Sequence, residues 1–158
     1  MKGRKTDLTA IDCGIARALG VIGDWWSLLI LRDAFRGKQR FGEFQKSLGL
    51  AKNILSARLK KLVEAGVLEI VAEADGSSRK LYVPTKKGEQ LGIVLISLWQ
   101  WGEEHCFPEG QLDRVIVDRT TKEPLAKLAL QTQDGRAIGP ADYTTVSRND
   151  IRSSARSR

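Results

Sequence analysis

The side chains in this 158-residue chain best placed to do chemistry are cations on a helix-forming segment, and the chemistry they suit is recognition of an anionic partner, a nucleic acid or an anionic membrane surface. Between Arg36 and Lys61 the chain carries eight cations and one anion, Glu43, an excess equal to the +7 of the whole molecule. Charge concentrated in this way predicts one basic face and an anionic partner. Hydrolytic and covalent chemistry is poorly served. The sole histidine is His105, the chain has no Ser-His-Asp order, no glycine-rich phosphate loop and no paired carboxylates on an evident cleft, and Glu103-Glu104 reads as a solvated helix face, so no enzyme and no cofactor are expected. Cys13 and Cys106 are far apart and neither belongs to a CxxC, which predicts neither a disulfide framework nor a zinc site. Cys106 beside His105 supplies two ligand types without a cluster.

The elements that must position the cations follow from apolar spacing. Lys52 to Ala65 reads as a helix with Leu55, Leu59 and Leu62 on its inner stripe; a rotation of about 100° per residue then turns Asn53, Ala57 and Lys60 outward, with Ser56 beside them. Phe41 to Leu48 forms a shorter helix, with Phe41, Phe44 and Leu48 inward. The turn Gly49-Leu50-Ala51 joins the two, and the pair reads as a helix-turn-helix. Upstream, Ile11 to Val21 is a short helix, and Asp24 caps a second one running to about Phe35, apolar nearly all round and so expected at the centre. Downstream, Val67 to Ala72 and Leu81 to Val83 flank Asp75-Gly76-Ser77-Ser78 as a hairpin, which after such a helix is a wing. Thr85 caps a long helix from Lys86 to about His105. Its stripe of Leu91, Val94, Leu95 and Leu98 is widened by Ile93, Ile96, Trp99 and Trp101 beyond what one packing partner needs. That width predicts a homodimer, with the N-terminal helix in the interface. Trp25, Trp26, Trp99 and Trp101 either border a small-molecule cavity or are plain core, and helical spacing favours core.

Val115-Ile116-Val117 and Leu125 to Leu130 read as strands, with Gln133-Asp134-Gly135 as a further turn. The expected class is therefore mainly α with small β, a winged helix-turn-helix (α+β) with a short C-terminal β appendage. Its parts are a basic arm over 1–9, a DNA-binding and dimerisation domain over 10–107, a β extension over 108–146 and a disordered basic tail over 147–158. Hydrophobic residues at 42% support a folded core, and no stretch approaches the ~18 apolar residues of a membrane span, so we expect a soluble cytoplasmic protein without a membrane partner.

Six ordered stretches resemble the HxlR-type winged-helix transcriptional regulators, relatives of the MarR group. They are CGIARAL (Cys13 to Leu19), IGDWWSLLILR (Ile22 to Arg32), RFGEF (Arg40 to Phe44), LSARLKKLVEAG (Leu55 to Gly66, with Val67-Leu68), YVPTKKG (Tyr82 to Gly88) and WQWGEEH (Trp99 to His105). Together they cover about residues 13 to 106. Gly14 stands where proline commonly follows the family's cysteine, and residues 112 to 146 extend past the minimal family domain. The resemblance implies a dimeric, sequence-specific regulator of double-stranded DNA, acting at promoters near its own gene.

In a helix-turn-helix the first residues of the second helix reach base edges while flanking groups hold phosphates. Asn53 suits adenine, Lys60 guanine or phosphate, and Ser56 lies beside them; Lys52 and Lys61 suit phosphate. Arg58 points sideways, to a phosphate or to an ion pair with Glu43 or Glu64. Lys38 and Arg40 stand at the entry to the first helix as phosphate clamps. Arg79 and Lys80 follow the wing tip and suit the minor groove or the backbone. Two copies imply a pseudo-palindromic operator with half-sites about one helical turn apart. Cys13 occupies the position of the cysteine used by redox- or electrophile-sensing members; a helix N-terminus and Arg17 both favour thiolate, so an electrophile or another small-molecule effector is the candidate switch. The competing function class is a winged-helix scaffold for protein or RNA, or a protein that coats DNA without sequence preference.

Overall fold

Asp24 starts the central helix one residue after Gly23 ends the helix before it. In the computed structural model, which describes residues 7–73, 79–108 and 110–149, its backbone is extended and its carboxylate accepts from the Ser27 amide at 2.9 Å and the Ser27 hydroxyl at 2.7 Å. Helix α1 (Gly14–Ile22), preceded by a single 3-10 turn at Leu8–Ala10, and α2 (Trp25–Phe35) therefore meet at a sharp bend of 76°. Lys2, Arg4 and Lys5 of the basic arm, the wing tip Asp75 to Ser78, and the tail arginines Arg152, Arg156 and Arg158 lie outside the described residues.

Helix α2 is the central helix, as its apolar run requires. Ile30 and Leu31 are fully buried, and each such side chain contributes about 1.5–3 kcal/mol on leaving water. Trp25 departs from the expectation: at the first helical position, past the cap, it is 71% exposed and meets the edge of Trp26 at 6.4 Å. The core continues into Phe44 of α3 (Phe41–Leu48) and Leu55, Leu59 and Leu62 of α4 (Lys52–Glu64), all buried. Between these helices Gly49 has φ 65°, a left-handed conformation that costs a side-chain-bearing residue about 1–2 kcal/mol, and this allows so short a turn.

The wing is the antiparallel pair β1 (Leu68–Ala72) and β2 (Lys80–Pro84), with Ile70 opposite Tyr82. On its other edge β2 is joined by the Gln39–Arg40 segment, through the Tyr82 amide donating to the Gln39 carbonyl at 2.8 Å and a bridge between Arg40 and Leu81. The wing is thus tied directly to the start of α3.

The long helix expected over Lys86 to His105 is broken in two, α5 (Lys86–Glu89) and α6 (Gly92–His105). Thr85 caps the first piece as expected, accepting from the Gly88 amide at 3.1 Å. Gly88 lies so close under the wing exit that a Cβ there would fall 2.1 Å from the Val67 carbonyl oxygen. The Leu91 amide then returns to the Gly88 carbonyl over three residues, and two glycines four apart give the helix little reason to continue across the turn. Leu91 and Leu95 pack on the core, whereas Ile93, Leu98 and Trp101 are exposed.

Two compact units result, Met1–Gly102 and Glu103–Arg158. In the second, the strands expected at 115–117 and 125–130 do not form. Val117 and Pro124 make a single bridge around a turn that Asp118 closes by accepting from the Thr120 and Thr121 amides. The only strands described there are β3 (Leu130–Gln131) and β4 (Ala137–Ile138), around the expected turn at Gly135. Val115 and Leu128 remain exposed, so the β-branched run lacks the neighbour strand that would make it a ladder. Among the described residues no single helix is long and apolar enough to cross a membrane.

Candidate nucleic-acid interface

Helix α4 presents two unlike faces. With Leu55, Leu59 and Leu62 buried, Lys52, Asn53, Ser56, Ala57 and Lys60 are all exposed along the opposite side, as the rotation predicts. Lys52 makes no ion pair among the described residues, and Lys60 approaches Glu64 one turn on at 3.7 Å while its side chain stays 75% exposed. A contact of that kind is worth only a few tenths of a kcal/mol and yields readily to phosphate. These side chains form the outward edge of the helix-turn-helix.

Arg58 and Lys61 are placed differently. Arg58 pairs with neither Glu43 nor Glu64: its Nε lies 3.4 Å from Asp24 Oδ1, an ion pair without hydrogen-bond alignment, and Lys61 Nζ lies 3.6 Å from Oδ2 of the same carboxylate. Both tie the flank of α4 to the N-cap of α2. Burial alone would raise the Asp24 carboxyl; the hydrogen bonds from Ser27 and the charges of Arg58 and Lys61 outweigh it and hold the group below the ordinary aspartate value. Lys38 is likewise drawn back, 3.6 Å from the buried Asp33. Burial would raise Asp33 too, but hydrogen bonds from Ser47 and Arg32 and the charges of Arg32 and Lys38 keep it ionised below the usual range.

The remaining cations meet at the wing. Arg40, Arg79 and Lys80 share an open groove of about 670 Å³ with Phe41, Glu43 and Tyr82. Glu43 is spent on the helix start, accepting from the Gln39 amide at 2.9 Å and the Arg40 amide at 2.8 Å; those two bonds lower its carboxyl. Glu43 therefore stays ionised beside these cations, with its Oε1 4.0 Å from the Arg40 guanidinium.

The model of the HxlR-like helix-turn-helix family matches residues 21–110, more than half of the chain. The chain belongs to the HxlR-like family. Among its relatives is the HTH-type transcriptional regulator Rv3095 of Mycobacterium tuberculosis, 41% identical over 97 residues, which are 61% of each chain; the match thus spans less than two thirds of that relative's length. The solved structure of PA1607, a candidate transcription factor, superposes with a TM-score of 0.84 at 47% identity, covering 90% of this chain and 99% of that one. The reduced form of the transcriptional regulator YodB from Bacillus subtilis superposes with a TM-score of 0.53 at 25% identity, covering 62% of this chain and 98% of that one. The fold of this HxlR chain is that of winged-helix transcription factors.

Two acidic residues of the HxlR domain matter to the site more than their types announced. Asp24 reads in sequence only as a helix cap, and its second role depends on cations more than thirty residues away. Glu73 gives no signal at all: an acid near a hairpin tip is ordinarily a solvated one. In the structure it sits between Arg40 and Arg79. Cys13 is an exposed N-cap of α1, while the Arg17 side chain expected beside it donates to the Ile11 carbonyl at 2.9 Å. Among the described residues no cluster of His, Cys, Asp and Glu fits a metal ion.

Proposed function

We propose that the protein is a sequence-specific regulator that binds double-stranded DNA as a homodimer, through its 10–107 domain. The observation that carries this reading is the outward face of α4, where Lys52, Asn53, Ser56 and Lys60 stand exposed over a helix whose other side is core. Such a helix fits the major groove, with Asn53 toward base edges and Lys52 and Lys60 toward guanine or phosphate. Arg40 clamps the backbone at the entry of α3, where Lys38, anchored by Asp33, adds its remaining donors, and Arg79 with Lys80 lies along the minor groove or its phosphates. Arg58 and Lys61 hold α4 in place through Asp24 and reach phosphate with their remaining donors. Exposed apolar side chains on α1 and α6, Ile15 and Trp101 among them, support a two-fold partner and so a pseudo-palindromic operator. Residues 108–146 form an extension outside the binding domain. We place the protein in the cytoplasm, where its DNA is.

Selection from random oligonucleotides tests the reading. A regulator separates its selected site from bulk DNA by about 10³-fold or more at physiological salt, and a coating protein or scaffold does not. With that site, Asn53→Ala should cost about 1–3 kcal/mol and relax base preference at one position, whereas Arg79→Ala should weaken all duplexes and flatten the salt dependence by about one charge. Equal behaviour of both variants and the unaltered protein would remove the docking geometry.

Cys13 is the proposed switch. Its thiol is exposed at the end of α1, and the YodB structure, a relative in reduced form, is in keeping with thiol control. Treatment with diamide should lower operator affinity in the unaltered protein and leave Cys13→Ser unaffected; unchanged affinity in both would end the proposal.

A further inference from the structure

Within the basic face, one acidic side chain occupies the place where phosphate would be expected. Glu73 extends the hairpin one residue beyond the Ala72–Lys80 pair, its amide donating to the Arg79 carbonyl at 3.2 Å. Its carboxylate pairs through Oε2 with Arg79 Nε at 3.2 Å, and the Arg40 guanidinium spans both oxygens, Nε donating to the same Oε2 at 3.4 Å and Nη2 pairing with Oε1. The Glu73 side chain is only 11% exposed, while those of Arg40 and Arg79 are 50% and 60% exposed. The acid is therefore covered by the two guanidiniums, which remain open to solvent. One arginine belongs to the start of α3 and the other to the wing, so this carboxylate joins the two parts of the surface that flank the groove.

An anion here lowers the attraction of the surface for any polyphosphate. What it supplies in return is order: a carboxylate takes up only part of the five donors each guanidinium carries, and fixes where the others point. Binding to arbitrary DNA follows net charge and tolerates loose side chains, whereas a specific complex needs both cations in one register. Resting on the DNA-binding reading above, we propose that Glu73 is a specificity-determining residue, which sets Arg40 and Arg79 as a fixed pair of phosphate clamps while cancelling one charge that would draw the protein to any duplex. It acts through the arginines and does not itself touch DNA.

The test compares the full-length protein with Glu73→Gln and Glu73→Asp, each against the selected operator and a mixed-sequence duplex. Glu73→Gln should bind the mixed duplex several-fold more tightly, with a salt slope steeper by about one ion, and the operator no more tightly than the unaltered protein, so that discrimination falls. Glu73→Asp keeps the charge but shortens the reach; its mixed-duplex affinity should stay at the original value while discrimination falls. Should the glutamine variant not fold, the aspartate variant alone decides, and discrimination unchanged in it overturns the proposal. Discrimination unchanged in a folded glutamine variant, or a parallel loss on both duplexes at an unchanged slope, overturns it as well and reduces Glu73 to a brace for the wing. An unaltered protein that prefers no site over bulk defeats the DNA-binding reading, and the role of Glu73 with it. One that discriminates while the variants match it defeats the role of Glu73 alone.

Discussion

Replacing Leu98 and Trp101 together by glutamate is expected to leave a folded monomer whose operator affinity is about 10²- to 10⁴-fold below that of the unaltered protein. The fold should survive because neither side chain belongs to the core: both are exposed, and α6 holds to the rest of its unit through Leu95 and through Leu91 in the turn just before it. Val94, Leu98 and Trp101 follow at i, i+4 and i+7, so they form one stripe that would meet its own copy across a two-fold axis. Four carboxylates brought together there repel, and no cation of α6 compensates them. The large loss on DNA comes from geometry. One protomer reads a single half-site, and the second binding event, intramolecular in a dimer, becomes an independent encounter. Sedimentation at micromolar concentration reads the first effect and titration of the selected duplex the second. A double variant that stays dimeric, or a monomer with full affinity, rejects the proposed assembly.

Much of the helix-turn-helix was legible because two local signals coincided there. Leu55, Leu59 and Leu62 repeat at helical spacing and do reach the core, and Gly49 interrupts the pattern where the backbone turns left-handed. Where only one signal existed, the reading drifted. The apolar stripe of the last helix begins only at Leu91, so its periodicity says nothing of the turn before Gly92; the cause is the approach of Gly88 to the Val67 carbonyl, a contact between distant segments. Val115 to Val117 has the composition of a strand but pairs only at the single bridge from Val117 to Pro124, and continuous pairing, not propensity, makes a strand. Charged residues were the least legible. The outward set on α4 follows from subtraction of the buried stripe, whereas the partners of Arg58 and the place of Glu73 depend on tertiary approach.

The same tertiary approach makes Asp24 the residue whose loss should cost the fold most among the polar positions of the interface. Asp24→Ala removes an N-cap, worth about 1 kcal/mol, and strands the Ser27 hydroxyl, which is fully buried and has this carboxylate as its acceptor, at a further cost of about 1–3 kcal/mol. It also releases Arg58 and Lys61, so α4 loses its tether to α2 and DNA affinity should fall along with stability. Asp24→Asn separates the contributions. Asparagine caps nearly as well through its one oxygen, accepting from the Ser27 amide, while its NH2 group replaces the acceptor that the Ser27 hydroxyl had; the loss is that one acceptor and the attraction of two partly exposed cations, the latter worth about 1 kcal/mol or less. The sign of the pH dependence follows from the lowered carboxyl. A group more acidic when folded stabilises the fold above its unfolded pKa, and that stability fades as pH drops through the folded value. The difference between the unaltered protein and Asp24→Asn should therefore be constant from neutral pH down to about 5 and shrink below about 4. Asp33, also held below its usual value, is common to both proteins and cancels. Urea unfolding at stepped pH measures this difference; one that instead grows on acidification would mean that Asp24 is not held ionised by Ser27, Arg58 and Lys61.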